Sequence, residues 1–111
     1  EVHHTEKKDA PSGTAITTAE QIIQQRDDMD SWQLGQSKDK TLGIEAKREH
    51  DVKGTHWVYY DSSIDRISLG HEAKSREGFA LGAVLAAEFT QQNRGWLSMN
   101  DLLDQQFKNI P

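Results

Sequence analysis

Apolar residues return every third or fourth position between Ser12 and about Arg26, where Ala15, Ile16, Ala19, Ile22 and Ile23 form one stripe of a helix. Ser12, whose hydroxyl can accept from the free N–H groups of a helix start, is the expected N-cap. From Asp27 to Lys40 the period disappears. That stretch is polar and turn-rich, with Trp32 and Leu34 as its anchors, and it reads as a loop. Beyond it the period becomes two. Leu42, Ile44, Ala46 and Arg48 alternate with Gly43, Glu45, Lys47 and Glu49, which predicts a strand with one buried and one wet face. Asp51–Gly54 then reads as a hairpin loop leading into Thr55–Asp61, the run richest in aromatic and branched residues. A turn at Asp61-Ser-Ser leads to a third strand over 64–73, with Ile67, Leu69 and His71 on one face.

A second helix is expected after Ser75, with Glu77 in its first turn, where negative charge complements the helix dipole. From Phe79 to Phe89 only Gly82 and Glu88 interrupt the apolar residues, so this helix is expected to be buried on more than one side. Gly82, Ala83, Ala86 and Ala87 suggest a close neighbour. Gly95 is the expected stop, and Ser98-Met-Asn-Asp101 opens a short capped helix carrying Leu102 and Leu103. Glu1–His4 reads as the stump of a further strand. The predicted fold is α+β: a mostly antiparallel or mixed four-stranded sheet with helices packed on one face.

Composition narrows the function classes. The chain has 111 residues, one domain or a large part of one, with 34% hydrophobic and 28% charged residues. That is a low apolar share, so either the core is small or apolar surface is shared with something else. A net charge of −5 argues against a nucleic-acid partner, which needs a basic face. Without cysteine there are no disulfides or thiolate metal sites, which fits a reducing, cytoplasmic setting. No apolar run approaches membrane length, no stretch reads as a signal peptide, and no membrane partner is expected. The start on Glu-Val-His-His, without methionine, reads as a fragment.

Candidate chemistry is concentrated in residues 1–15. His3, His4, Lys7 and Lys8 precede Pro11-Ser-Gly-Thr14, which opens the first helix. A helix start exposes unpaired N–H groups and about half a positive charge, so carboxylates and phosphates collect there. Ser12 and Thr14 add hydroxyls, and Gly13 lets a ligand approach the backbone. The spacing is neither a P-loop nor a nucleophile elbow. Adjacent strand histidines point to opposite faces, so His3 and His4 do not read as a shared metal site, and no metal is expected. His56 and His71 read as core histidines, and Trp57, Tyr59 and Tyr60 as sheet packing or a subunit interface.

The run His3-His-x-x-Lys7-x-Asp-Ala-Pro-Ser-Gly-Thr-Ala15 resembles the signature of the dihydrodipicolinate reductase (4-hydroxy-tetrahydrodipicolinate reductase) family. The resemblance continues through Gly54-Thr-His56, Asp65-Arg-Ile-Ser-Leu-Gly-His71-Glu-Ala-Lys-Ser-Arg76, Phe79-Ala-Leu-Gly-Ala-Val84 and Gly95-Trp-Leu-Ser-Met-Asn-Asp-Leu-Leu103. Departures are Lys8, where the family often has an apolar residue, and His50, where glycine is common.

The resemblance implies an oxidoreductase of lysine and diaminopimelate biosynthesis that reduces a cyclic unsaturated dicarboxylate with NADPH or NADH. It implies that residues 1–95 form a substrate-binding and oligomerisation domain, with 96–111 packing towards a nucleotide domain. The cofactor would be bound by a Rossmann domain absent from this chain, which has no Gly-x-Gly-x-x-Gly loop, so the chain alone is expected to be inactive. The implied partners are the small dicarboxylate and further copies of the chain, as a homotetramer built through the sheet. By position, His3 and Lys7 match the pair assigned to the chemistry. His4, Lys7, Ser12, Gly13 and Thr14 match the group that holds the carboxylates and ring nitrogen. Arg76 matches an arginine near the domain hinge, on the cofactor side. The reading from another class is a non-catalytic oligomerisation or dicarboxylate-binding module.

Overall fold

The computed structural model describes residues 1–111. Its elements are Val2–His3 (β1), Gly13–Gln24 (α1), Ser31–Leu34 (β2), Thr41–Ile44 (β3), Lys47–Arg48 (β4), Thr55–Asp61 (β5), Arg66–Glu72 (β6), Glu77–Gln92 (α2) and Met99–Lys108 (α3). They form two compact units, Glu1–Lys74 and Ser75–Pro111.

In the first unit the short β1 lies inside a four-stranded sheet of order β4-β1-β5-β6. It runs parallel to β4 and antiparallel to β5, and β5 and β6 form an antiparallel hairpin from Thr55↔Glu72 to Asp61↔Arg66. The class is therefore α+β with a mixed sheet, as the period pattern predicts. Period alone does not choose partners, however. Burial alternates from Ile44 to Glu49 as expected, yet the predicted strand divides into β3 and β4, which pair in different sheets. Residues 51–54 are consequently not a tight hairpin turn. They carry the chain past β1, which lies between β4 and β5.

The segment read as a loop holds β2, which pairs in parallel with β3 and sets Trp32 opposite Leu42. Those two side chains pack around the core formed by Ala15 and Ala19 of α1 with Ile44 of β3. Trp32 is thus more than an anchor; its alternation with polar neighbours is that of a short strand. Gly43 is required here. A Cβ at this position would lie 2.3 Å from the Gly35 carbonyl oxygen and the Ser37 nitrogen, because the 35–37 loop closes over the strand.

Within the first unit most of the β5–β6 hairpin is left uncovered. Trp57 and Tyr59 stack with centroids 6.1 Å apart on one face, and the Arg66 guanidinium lies over Tyr59. Ile67 and Leu69, each 59% exposed, lie on the other face. His71 is exposed rather than a core histidine, because its strand is the outer one of the sheet.

In the second unit α3 begins with the predicted capping box: the Ser98 hydroxyl accepts from the Asp101 N–H, and the Asp101 carboxylate accepts from the Ser98 N–H. Asn93 fixes the end of α2 by donating to the Phe89 carbonyl, and Leu102 is buried. The expectation that α2 is buried on more than one side is not met: Phe79, Leu81, Val84 and Leu85 are exposed, and a Cβ at Gly82 would meet nothing within 4 Å. An apolar run shows that a helix has surface to cover without specifying what covers it.

Candidate functional site

Sheet register assembles the site. Val2 pairs with Thr55, so Glu1 and His3, one step either side, project to the opposite face, the face of His56. The parallel pairing of His3 with Arg48 adds Arg48 to the same face. The start of α1 meets this face at Ser12, which is only 2% exposed.

At the centre is the Glu1 carboxylate, whose side chain is 1% exposed. It accepts from the Ser12 N–H at 3.1 and 3.2 Å and from the Arg48 guanidinium at 3.3 Å. His3 Nε2 lies 3.2 Å from Glu1 Oε2, and His56 Nε2 lies 3.6 Å from the same oxygen. The two imidazole Nε2 atoms are 3.4 Å apart, with ring planes at 72°. Burial opposes ionisation of Glu1, but hydrogen bonds from Ser12 and Arg48 and the proximity of His3 outweigh it, and the carboxyl ends below its ordinary value.

The helix start can be accounted for group by group. Ser12 Oγ accepts from the Ala15 N–H at 3.2 Å, and the Ser12 carbonyl accepts the Ile16 N–H at 3.0 Å. The Ser12 N–H is taken by Glu1. The N–H groups of Gly13 and Thr14, both exposed residues, have no partner within the chain. These are the donors available to an external anion.

Lys7 belongs to the segment that closes the site. The Arg48 guanidinium donates to the Lys7 carbonyl at 3.4 Å and to the Asp9 carbonyl at 2.6 Å while also holding Glu1. Residues 7–9 are thereby fixed to the same hub as Ser12. The Lys7 ammonium, on a side chain 22% exposed, pairs with the Asp9 carboxylate at 3.0 Å. His4 follows β1 and its carbonyl accepts the Lys7 N–H in a tight turn; its Nδ1 is buried and has no partner. Arg76 stands at the N-cap position of α2 in the second unit.

Both site histidines are less basic than usual. Burial lowers His3 first, then the charges of Lys7 and Arg48, against the pull of Glu1. Burial also lowers His56, with His3 and His71 adding to it. Glu1, His3 and His56 form a donor set tight enough for a metal ion. The Glu1 oxygens already accept from Ser12 and Arg48, and the cations Arg48 and Lys7 oppose a further positive charge, so the contacts within the chain account for the cluster.

Sequence reasoning missed Glu1, Arg48 and His56 as members of this cluster. The available signals are the i, i+2 spacing of Glu1 and His3, and Gly54-Thr-His56, whose histidine reads from the sequence as a core residue.

Residues 1–103 match the family model described as dihydrodipicolinate reductase, C-terminus. The chain is 52% identical over 109 residues to the 4-hydroxy-tetrahydrodipicolinate reductase of Christiangramia forsetii, covering 98% of this chain and 46% of that protein. It is 42% identical to the protein of that name from Oleidesulfovibrio alaskensis, covering 93% of this chain and 44% of that protein. Against the Methanosarcina acetivorans protein of the same name, identity is 41%, covering 93% and 41%. The chain spans less than half the length of these curated relatives.

Proposed function

Because this chain belongs to the dihydrodipicolinate reductase family, as its C-terminal part, we propose that it is the substrate-binding domain of an NADPH- or NADH-dependent reductase of a cyclic unsaturated dicarboxylate, acting in lysine and diaminopimelate biosynthesis. The observation that carries this reading is the pair of unpartnered N–H groups at Gly13 and Thr14, beside a segment that Arg48 clamps with Lys7 in it. One carboxylate fits that helix start, and the Lys7 ammonium is the cation for the other. Ser12, Gly13, Thr14, Lys7 and His4 are assigned to binding.

The nicotinamide would supply the hydride from a domain outside this chain. In the first unit α1 follows β1 only after residues 4–12 and without a glycine-rich turn, so nothing there cradles a dinucleotide. This chain's residues instead orient the ring acid and manage a proton. Negative charge developing on the ring is stabilised by the Lys7 ammonium. His3 is assigned with Lys7 to proton delivery: a lowered pKa makes its imidazolium the stronger acid, while reducing its protonated fraction at neutral pH.

The bare faces of β5 and β6 support association of copies through the sheet, as a homotetramer. Trp96, fully exposed, with Met99, Phe107 and Ile110, supports packing of 96–111 towards a nucleotide domain, with Arg76 on the cofactor side. A cytoplasmic setting is consistent with a cysteine-free chain in which no helix is long and apolar enough to cross a membrane.

The test is to join a Rossmann domain ahead of this chain and follow NADPH and NADH oxidation with the cyclic dicarboxylate. Turnover is expected, and Lys7→Ala should remove it by about 10²–10⁴-fold. Binding without turnover in every joined form would favour a non-catalytic module.

A further inference from the structure

We propose that Glu1 and His56 are positioning residues for His3: the buried carboxylate holds the proton of the His3 ring on Nε2, and His56 walls the ring in that orientation. An ionised carboxylate only accepts hydrogen bonds. A bare Nε2 lone pair 3.2 Å from the ionised Glu1 Oε2 would face a full negative charge, so the carboxylate favours Nε2–H as the His3 tautomer and leaves Nδ1 as its working nitrogen.

The same bookkeeping assigns His56. With its hydrogen on Nε2, His3 is the donor and His56 Nε2 the acceptor across the 3.4 Å between them. Ser12 Oγ, 3.3 Å from His56 Nε2, holds that ring from the side of the α1 start. His56 then stands edge-on to the His3 ring, with centroids 5.0 Å apart, and restricts its rotation. Arg48 completes the arrangement by holding the other Glu1 oxygen, so the carboxylate cannot swing away. One carboxylate thus couples the orientation of His3 to the start of α1, through the Ser12 N–H.

This inference rests on the assignment of His3 to proton delivery, but one of its consequences can be read without turnover. The charged and titratable groups facing His3 are Glu1, Lys7, Arg48 and His56. Glu1→Gln keeps the shape of this set and removes one charge. Imidazole nitrogen NMR on this chain should show Nε2–H for neutral His3 and a downward shift of its pKa in Glu1→Gln. In the protein joined to a Rossmann domain, the same substitution should lower kcat about 10–100-fold, part of what acid–base catalysis contributes, with KM little changed and the pH profile displaced to lower pH. His56→Gln, a second variant should the first not fold, should lower kcat with KM retained. An Nδ1–H tautomer, or a His3 pKa and kcat unmoved by Glu1→Gln, would overturn the proposal. A joined protein that never turns over, while the tautomer and shift appear as expected, would overturn the assigned reaction and leave the positioning supported.

Discussion

The Ser12 amide donates to both oxygens of the Glu1 carboxylate, at 3.1 and 3.2 Å, so the inner side of the α1 start already holds an anion supplied by the chain itself. An external carboxylate is left the outer donors, Gly13 and Thr14. This division separates what holds the site together from what it can bind.

Stability should fall in two stages on acidification. His3 and His56 both have folded values below the ordinary 6.5, so the unfolded chain binds more protons as pH drops through that value. Their contribution is complete above 6.5 and declines below it. Glu1 lies below its ordinary 4.5, so its contribution persists above 4.5 and is lost as pH falls through the lowered value. Urea midpoints measured against pH should show both stages, and His56→Gln should shrink the first. A midpoint unchanged between neutral pH and about pH 5 would contradict the assignment.

Ser12 is both the N-cap of α1 and a partner of Glu1 and His56. Ser12→Ala should cost about 1–2 kcal/mol in chemical denaturation, from the lost cap to Ala15 and the hydroxyl removed from a buried polar set. Ser12→Thr should retain most of the stability. Equal destabilisation by both would mean that packing, not the hydroxyl, is what matters there.

Leu69 presents an apolar side chain on the bare face of β6, which no other part of the first unit covers. Leu69→Lys should leave the circular dichroism unchanged and lower the mass seen in sedimentation, because a charge on this face opposes association. An assembly unaffected by the change would move the interface elsewhere, and a monomeric parent chain would remove the tetramer from the account.

Much of this architecture is legible from the residues. Stripe periodicity locates α1, and the Ser98–Asp101 box locates α3, because both signals are local and the structure satisfies them locally. Pairing is not legible. Nothing in the alternation of 42–49 says that its first half joins β2 and its second joins β1, since partner choice depends on a strand delivered from the start of the chain. The cluster at Glu1 was hidden for the same reason. His56 and Arg48 lie far from Glu1 along the chain, and only sheet register brings them together. The exposure of α2 shows the complementary limit: the apolar run within it states a need for cover without naming the cover.

The central claim is that the free donors at the start of α1 grip a ring dicarboxylate. The most direct measurement is an amide-resolved NMR titration with pyridine-2,6-dicarboxylate, a planar analogue of the proposed substrate. The account predicts saturable shifts at Gly13 and Thr14 that weaken in Lys7→Ala, with Ser12 less affected because its N–H is held by Glu1. A folded protein in which Gly13 and Thr14 do not respond, whether or not other amides do, would contradict it.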